Sequence, residues 1–312
     1  MPTRKSPRKG SLQFWPRKRA KKFLPRANWE AINSDKPLKG FICYKAGMVS
    51  VAVKDTTPHS MTKDKKIVIP ATILECPPMK ILSIRFYKNS KVVTEVMAEG
   101  LDKELKKVLK LPKKTKKIDG IKPEIYDNIK VIVYSIVKKT KLKKTPDVIE
   151  VGINGTIEEK LNFVKENLGK ELSILSFFEK GELIDLRGLT KGKGLQGPVK
   201  RFGINLKSHK SEKGVRRPGS LGPWHPARVT FRTPQAGQLG MFTRVVYNNK
   251  IIDLGKKNET VKNIKNYGEI NSEYILVKGS VQGPSKRQLL LTQALRETKK
   301  QKKKEYEFIE LR

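Results

Sequence analysis

Residues 190–203 read TKGKGLQGPVKRFG, and Gly192, Gly194 and Gly197 within them spell G-x-G-x-x-G. How this strip is read decides the fold. As the phosphate turn of a dinucleotide site it would make the chain a doubly wound α/β protein. That reading requires a strand before the glycines, a helix opening directly after them and an acidic residue about 20 positions later. A strand is available in GELIDLRG (181–188). A helix is not expected downstream, because Pro198 follows the last glycine and VKRFGINLKSHKSEKGVRRPGS is basic and broken by Gly203, Gly214 and Pro218. No Lys-Ser or Lys-Thr pair follows at P-loop spacing. The strip is therefore read as part of a glycine-rich segment made for a larger partner, with no nucleotide cofactor.

Charge indicates what that partner is. The 312 residues carry 68 Lys plus Arg against 30 Asp plus Glu, a net charge of +38. Folding does not require this imbalance, and it repels itself without a polyanion, so a nucleic acid is the first partner to consider. An anionic membrane surface would want an amphipathic basic helix or a lipid signal, and neither is read here. The longest apolar runs, such as VIVYSIV (131–137), fall far short of the roughly 20 residues of a bilayer span. The basic N-terminus lacks the apolar stretch of a secretory signal, so the chain is expected to remain where it is made.

The charge is concentrated. Residues 1–26 hold ten cations, Arg4, Lys5, Arg8, Lys9, Arg17, Lys18, Arg19, Lys21, Lys22 and Arg26, and no acid. Residues 187–232 hold twelve against Glu212 alone, so the two segments supply 21 of the 38 net charges. The second has eight glycines and four prolines, no apolar period, and far exceeds the usual loop of about 4 to 6 residues. It has too little apolar surface to offset an ordering cost of about 1 to 2 kcal/mol per residue. Folded RNA is the natural scaffold for it, since glycine lets backbone approach phosphates and Lys and Arg displace counterions. In the first segment Phe14, Trp15 and Phe23 are interleaved with cations, where rings stack on unpaired bases.

Ordinary folded protein lies between. GFICYKAGMVSVAVKD (40–55), KIVIPATILEC (66–76) and MKILSIRFYK (79–88) predict three strands. TRVVYNNKIIDLG (243–255) predicts a hairpin turning at Asn248 and Asn249, and SEYILVKGSV (272–281) a further strand. LDKELKKVLKL (101–111) and TIEEKLNFVKENLG (156–169) have helical periodicity and flank the strand-like IKVIVYSIV (129–137). Thr156 reads as an N-cap with Glu159 completing a capping box, and Gly169 as the C-terminal cap. The expected fold is mainly β: a barrel closed from early and late strands, carrying an inserted α+β domain. The layout is a basic N-terminal extension (1–36), a barrel domain (37–90 and 177–295, with the long loop at about 187–240), the insertion (91–176) and a charged C-terminal tail (296–312). Cys43 and Cys76 sit singly in strand-like runs and read as small buried thiols rather than zinc ligands. No H-E-x-x-H, G-x-S-x-G or paired-carboxylate pattern accompanies His59, His209 and His225, so neither a metal site nor an enzyme is expected.

Four motifs carry a resemblance. GLTKGKGLQGPVKRFG (188–203), RRPGSLGPWHPARV (216–229), PQAGQLGMFTRVVYNNKII (234–252) and YILVKGSVQGP (274–284) occur in the order and approximate spacing of large-subunit ribosomal protein L three, the universal uL-three family. SPRKGSLQFWPRKRA (6–20) and WHPARV (224–229) resemble its archaeal and eukaryotic branch. The resemblance implies a structural protein of the cytoplasmic large subunit with a translation-factor-like β-barrel. It also implies binding to large-subunit rRNA near its 3′ end early in assembly, a loop whose tip approaches the peptidyl transferase centre, neighbouring ribosomal proteins as partners, and no small-molecule substrate or membrane. Trp224 and His225 match the family's tip motif. The histidine methylation known in that branch is not carried over, because the spacing of His209 from Trp224 does not fit.

Side-chain chemistry then assigns roles. Lys191, Lys193, Lys200, Arg201, Lys210, Lys213, Arg216, Arg217, Arg228 and Arg232 are expected on phosphates or groove edges, together with Arg244 and the N-terminal cations. Gly192, Gly194, Gly197, Gly219 and Gly222 are expected to permit close backbone passage. Trp224 is expected to stack or wedge at the tip, the alternative being a ring capping the barrel core. His209 and His225 are expected to donate to RNA, and Gln235 and Gln238 to read its edges. A free nucleic-acid chaperone or chromatin protein would share the charge but has no need of a barrel with an inserted domain.

Overall fold

The computed structural model describes residues 7–112, 115–116, 118, 125–256 and 263–312. Arg4 and Lys5 lie outside the described residues. In chain order the strands and helices are β1 (Gly40–Asp55), β2 (Lys66–Cys76), β3 (Met79–Lys88), β4 (Lys91–Met97), β5 (Asn128–Ser135), β6 (Val148–Gly152), α1 (Ile157–Asn167), β7 (Leu183–Leu189), β8 (Leu195–Gln196), α2 (Pro198–Phe202), β9 (Gly237–Gln238), β10 (Thr243–Gly255), β11 (Glu273–Lys278), β12 (Gln288–Gln293), α3 (Lys299–Lys302) and β13 (Tyr306–Leu311). The chain is mainly β. It divides into two compact units, Phe23–Gly188 with Arg244–Arg312, and Met1–Lys22 with Leu189–Thr243.

The larger unit rests on two sheets. One has the order β12-β7-β10-β11-β2-β1-β13, and β1 also pairs with β12. Strand β1 does both because of its length: Gly40 to Tyr44 align with Thr292 to Gln288, while Val51 to Asp55 take β13 on the same side. Its first half is therefore buried on both faces, with Phe41, Ile42, Cys43 and Tyr44 fully covered. The second sheet has the order β4-β3-β5-β6. Strand β3, whose residues are expected in the barrel domain, pairs with β4 and β5 in the second sheet, and the Pro77–Pro78 break after Cys76 separates it from β2. One continuous core runs under both sheets, from Phe41, Tyr44 and Leu290 to Phe86, Val131 and Val151.

Four further expectations are corrected. Residues 243–255 form one strand, not a hairpin. Asn248 does take a positive φ of 56°, but its N–H donates to the buried Asp185 carboxylate at 2.9 Å, whose other oxygen accepts from Leu295 N at 3.0 Å. That buried acceptor holds the chain straight where a turn would otherwise form. Residues 101–111 give only a 3₁₀ turn at Lys103–Lys107 that buries Leu105. The charged C-terminal tail contains the edge strand β13, whose Tyr306, Phe308 and Leu311 pack on the Val51/Ile73 cluster. Its alternation is short and interrupted by a bulge at Ile309, opposite Ala52 and Val53, which hid it. Finally, a helix does open directly after Gly197. Pro198 suits the first helical turn, where its missing N–H is no loss, and left-handed Gly203 (φ 67°) ends α2 after five residues.

Helix α1 has the local signals expected of it. Glu159 N donates to Thr156 Oγ1 at 3.4 Å, Thr156 N donates to Glu159 Oε2 at 2.9 Å, and Gly169 follows the helix at φ 76°. Glu75 on β2 is fully buried and accepts from the Tyr267 hydroxyl, Asn271 N and the N–H and hydroxyl of Ser272, which secures the segment leading into β11.

Candidate nucleic-acid interface

The smaller unit joins the two cationic segments that stand apart in the sequence. Its base is an antiparallel stem. Thr190 N donates to Phe242 O, Lys193 N to Leu239 O, and Leu239 N to Gly194 O, and β8 then pairs with β9. The demanding glycine here is Gly240, which the sequence reading passed over. It has φ 78°, and a Cβ on it would lie 2.0 Å from the carbonyl oxygen of Lys191. Gly194, Gly197, Gly219 and Gly222 have open space where a Cβ would go, so within this chain they serve turn conformations or leave room for an outside partner.

The N-terminal strip is clasped to this stem. Ala20 N donates to Met241 O at 3.0 Å, and Arg8 donates to Arg232 O at 3.0 Å. Arg17 lies over Phe202 at 4.2 Å and Trp15 at 5.5 Å, and donates to Arg201 O at 2.6 Å. Arg201 answers by donating to Arg17 O, Gln235 O and Gln238 O. Trp15 stacks on Phe202 with centroids 5.8 Å apart and meets Phe231 edge-on at 5.7 Å. A planar guanidinium between rings with its N–H groups on carbonyls is a strong arrangement, and burial lowers the Arg201 pKa from its ordinary value. The Gln238 amide is likewise used internally, on Leu239 O and Gly240 O. Arg8, Trp15, Arg17, Arg201 and Gln238 thus make contacts that hold the unit together.

Beyond α2 the loop has little internal bonding, such as Lys207 N to Val215 O and Thr233 Oγ1 to Leu221 O. Here Lys207, His209, Lys210, Lys213, Arg216, Arg217, His225 and Arg228 are exposed, as are Lys191, Lys193 and Lys200 nearer the stem. Trp224 is 81 % exposed, so it caps no core, and Phe231, Leu206 and Val229 are also exposed. The Trp15–Pro16 and His225–Pro226 peptide bonds are cis. Lys9 is half-buried, and Lys18, Arg19, Lys21 and Lys22 lie exposed along the strip. Arg244 belongs to the larger unit and is half-buried, which lowers its pKa.

The electrostatics of the two units differ in kind. The smaller has nine cations from residues 1–22 and eleven from 189–243 against Glu212. Every ion pair among the described residues lies in the larger unit. Like charges so crowded repel one another unless counterions or a polyanion screen them.

The sequence profile of the family described as Ribosomal protein L3 matches residues 1–311. The chain belongs to the ribosomal protein L3 family. Among its curated relatives, the large ribosomal subunit protein uL3 of Methanocaldococcus jannaschii is 42% identical over 307 residues, covering 93% of this chain and 91% of that protein. The uL3 of Archaeoglobus fulgidus is 40% identical over 309 residues, covering 94% and 93%. That of Methanobrevibacter smithii is 40% identical over 313 residues, again covering 94% and 93%. Members of the L3 family are structural components of the ribosome, not enzymes. No helix among the described residues is long and apolar enough to cross a membrane.

Proposed function

We propose that this chain, a structural constituent of the large ribosomal subunit, binds large-subunit rRNA through its smaller unit. The observation that carries the reading is the set of some twenty cations that the sequence places on one unit with a single acid. Lys191, Lys193, Lys200, Lys210, Lys213, Arg216, Arg217, Arg228 and Arg232 contact phosphates or groove edges, while Arg17 and Arg201 keep the arms in shape. Exposed Trp224 stacks at the tip, a contact worth about 1 to 3 kcal/mol. As the family resemblance implies, the RNA site lies near the 3′ end, binding helps nucleate assembly in the cytoplasm beside neighbouring proteins, and the tip extends toward the peptidyl transferase centre.

The return of the pairing from β12 to β1 supports a barrel of β1, β2, β11, β10, β7 and β12, with the sheet of β3 to β6 and helix α1 as the added α+β part. The test is sedimentation: tagged chain should travel with large subunits at low salt, and Trp224→Ala should impair subunit maturation while leaving the melting temperature of the free protein unchanged. A chain that sediments free of subunits would overturn the reading, and a large fall in melting temperature would reassign Trp224.

A further inference from the structure

The lobe built on β3 to β6 carries a second concentration of charge that the arms do not explain. Residues 103–117 hold eight lysines and one acid, and residues 138–144 hold five lysines and none. The fold brings these runs together. The 3₁₀ turn Lys103–Lys107 packs Leu105 onto Leu82, Ile132 and Tyr134, and Asp102 at its start accepts from the Tyr134 hydroxyl at 2.7 Å. The 3₁₀ turn Val137–Thr140 follows directly from β5, and Lys138 Nζ lies 3.8 Å from Glu104. In the two runs that this contact joins, Lys103, Lys106, Lys107, Lys110, Lys141 and Lys144 are exposed, and none has an acid within ion-pair distance among the described residues.

The chemistry of this face differs from that of the arms. No arginine occurs between Arg85 and Arg187, whereas the arms mix arginine, tryptophan and phenylalanine with their lysines. Arginine and aromatic rings read base edges and unpaired bases; a lysine is a mobile point charge that suits phosphate oxygens without discriminating bases. Lysine is depleted from protein–protein interfaces, and among the described residues of these runs only Val108 and Leu109, each about two-fifths exposed, are exposed large hydrophobics. We infer that this lysine face is a separate RNA-binding surface, which grips the phosphate backbone of a double-helical segment independently of sequence. The inference rests on the proposed RNA-binding function but uses none of its residues.

The test compares full-length protein with two variants, one carrying Gln at those six lysines and one carrying Gln at Lys210, Lys213, Arg216 and Arg217. The probe is a short RNA duplex of arbitrary sequence, titrated across salt concentrations. If the lobe grips phosphates, its variant should melt no lower than the parent, bind at least about tenfold more weakly at low salt, and lose roughly 0.9 from the log–log salt slope per lysine engaged. An unchanged slope in the lobe variant, with a reduced slope in the loop variant, would overturn the inference alone and leave those lysines to an acidic protein partner. Unchanged slopes in both would overturn the proposed RNA-binding function as well.

Discussion

At the scale of single residues, the least replaceable positions are those where backbone or buried charge admits one solution. Gly240 combines a left-handed φ with a carbonyl 2.0 Å from the missing Cβ. Gly240→Ala should therefore open the stem, costing more than about 1 kcal/mol locally, seen as faster amide exchange at Thr190, Lys193 and Leu239. Asp55 is the acid counterpart. Hydrogen bonds from Thr57, Thr62 and Ser60 hold its carboxyl well below the usual carboxylate range. A depressed folded pKa contributes stability above the unfolded value, near pH 4, and that stability is lost as pH falls through the folded pKa. Urea titrations from pH 7 to pH 2 should show Asp55→Asn less stable than the parent at neutrality, with the gap closing in acid. The Asp55 network was not legible in the sequence, because no motif in the order of residues places Thr57, Ser60 and Thr62 on one carboxylate. Trp224 was legible, because a tryptophan between two prolines in a basic segment has no core to enter.

At the scale of elements, local signals succeeded where partners are near in sequence. The Thr156–Glu159 box and the β-branched runs of β1, β2 and β3 specify their own structure. They failed where a distant group overrides them: Asp185 keeps β10 straight through Asn248, and β1 supplies the ladder that makes a strand of residues 306–311. The clasp of the smaller unit belongs to this second kind, since Trp15 and Arg17 lie more than 180 residues from Phe202 and Arg201. Each aromatic or cation–π contact is worth about 0.5 to 1.5 kcal/mol and offsets part of the cost of ordering the strip. Trp15→Ala should release it, with amide protection falling together in residues 11–20 and 198–203. Protection lost at the first segment alone would mean that the clasp does not couple them.

At the scale of the whole molecule, +38 charges on 312 residues set the behaviour of the free chain. Self-repulsion destabilises the compact state and salt screens it, so the melting temperature of RNA-free protein should rise between about 0.05 and 0.3 M salt. A melting temperature that falls over that range would mean the charges are already paired. The same salt should weaken binding to RNA, so free and bound protein respond in opposite senses.

The sequence by itself determined the mainly β character, the concentration of cations in two segments, and the family. Each follows from composition, short-range pattern or local motif, which the order of residues contains in full. Only the tertiary structure decided that the N-terminal strip and the long loop form one unit, that Arg17 and Arg201 spend their donors inside it, and that two lysine runs meet at Glu104. Those outcomes depend on which distant groups come within a few ångströms of one another, and long-range pairing leaves no period in the chain to be read.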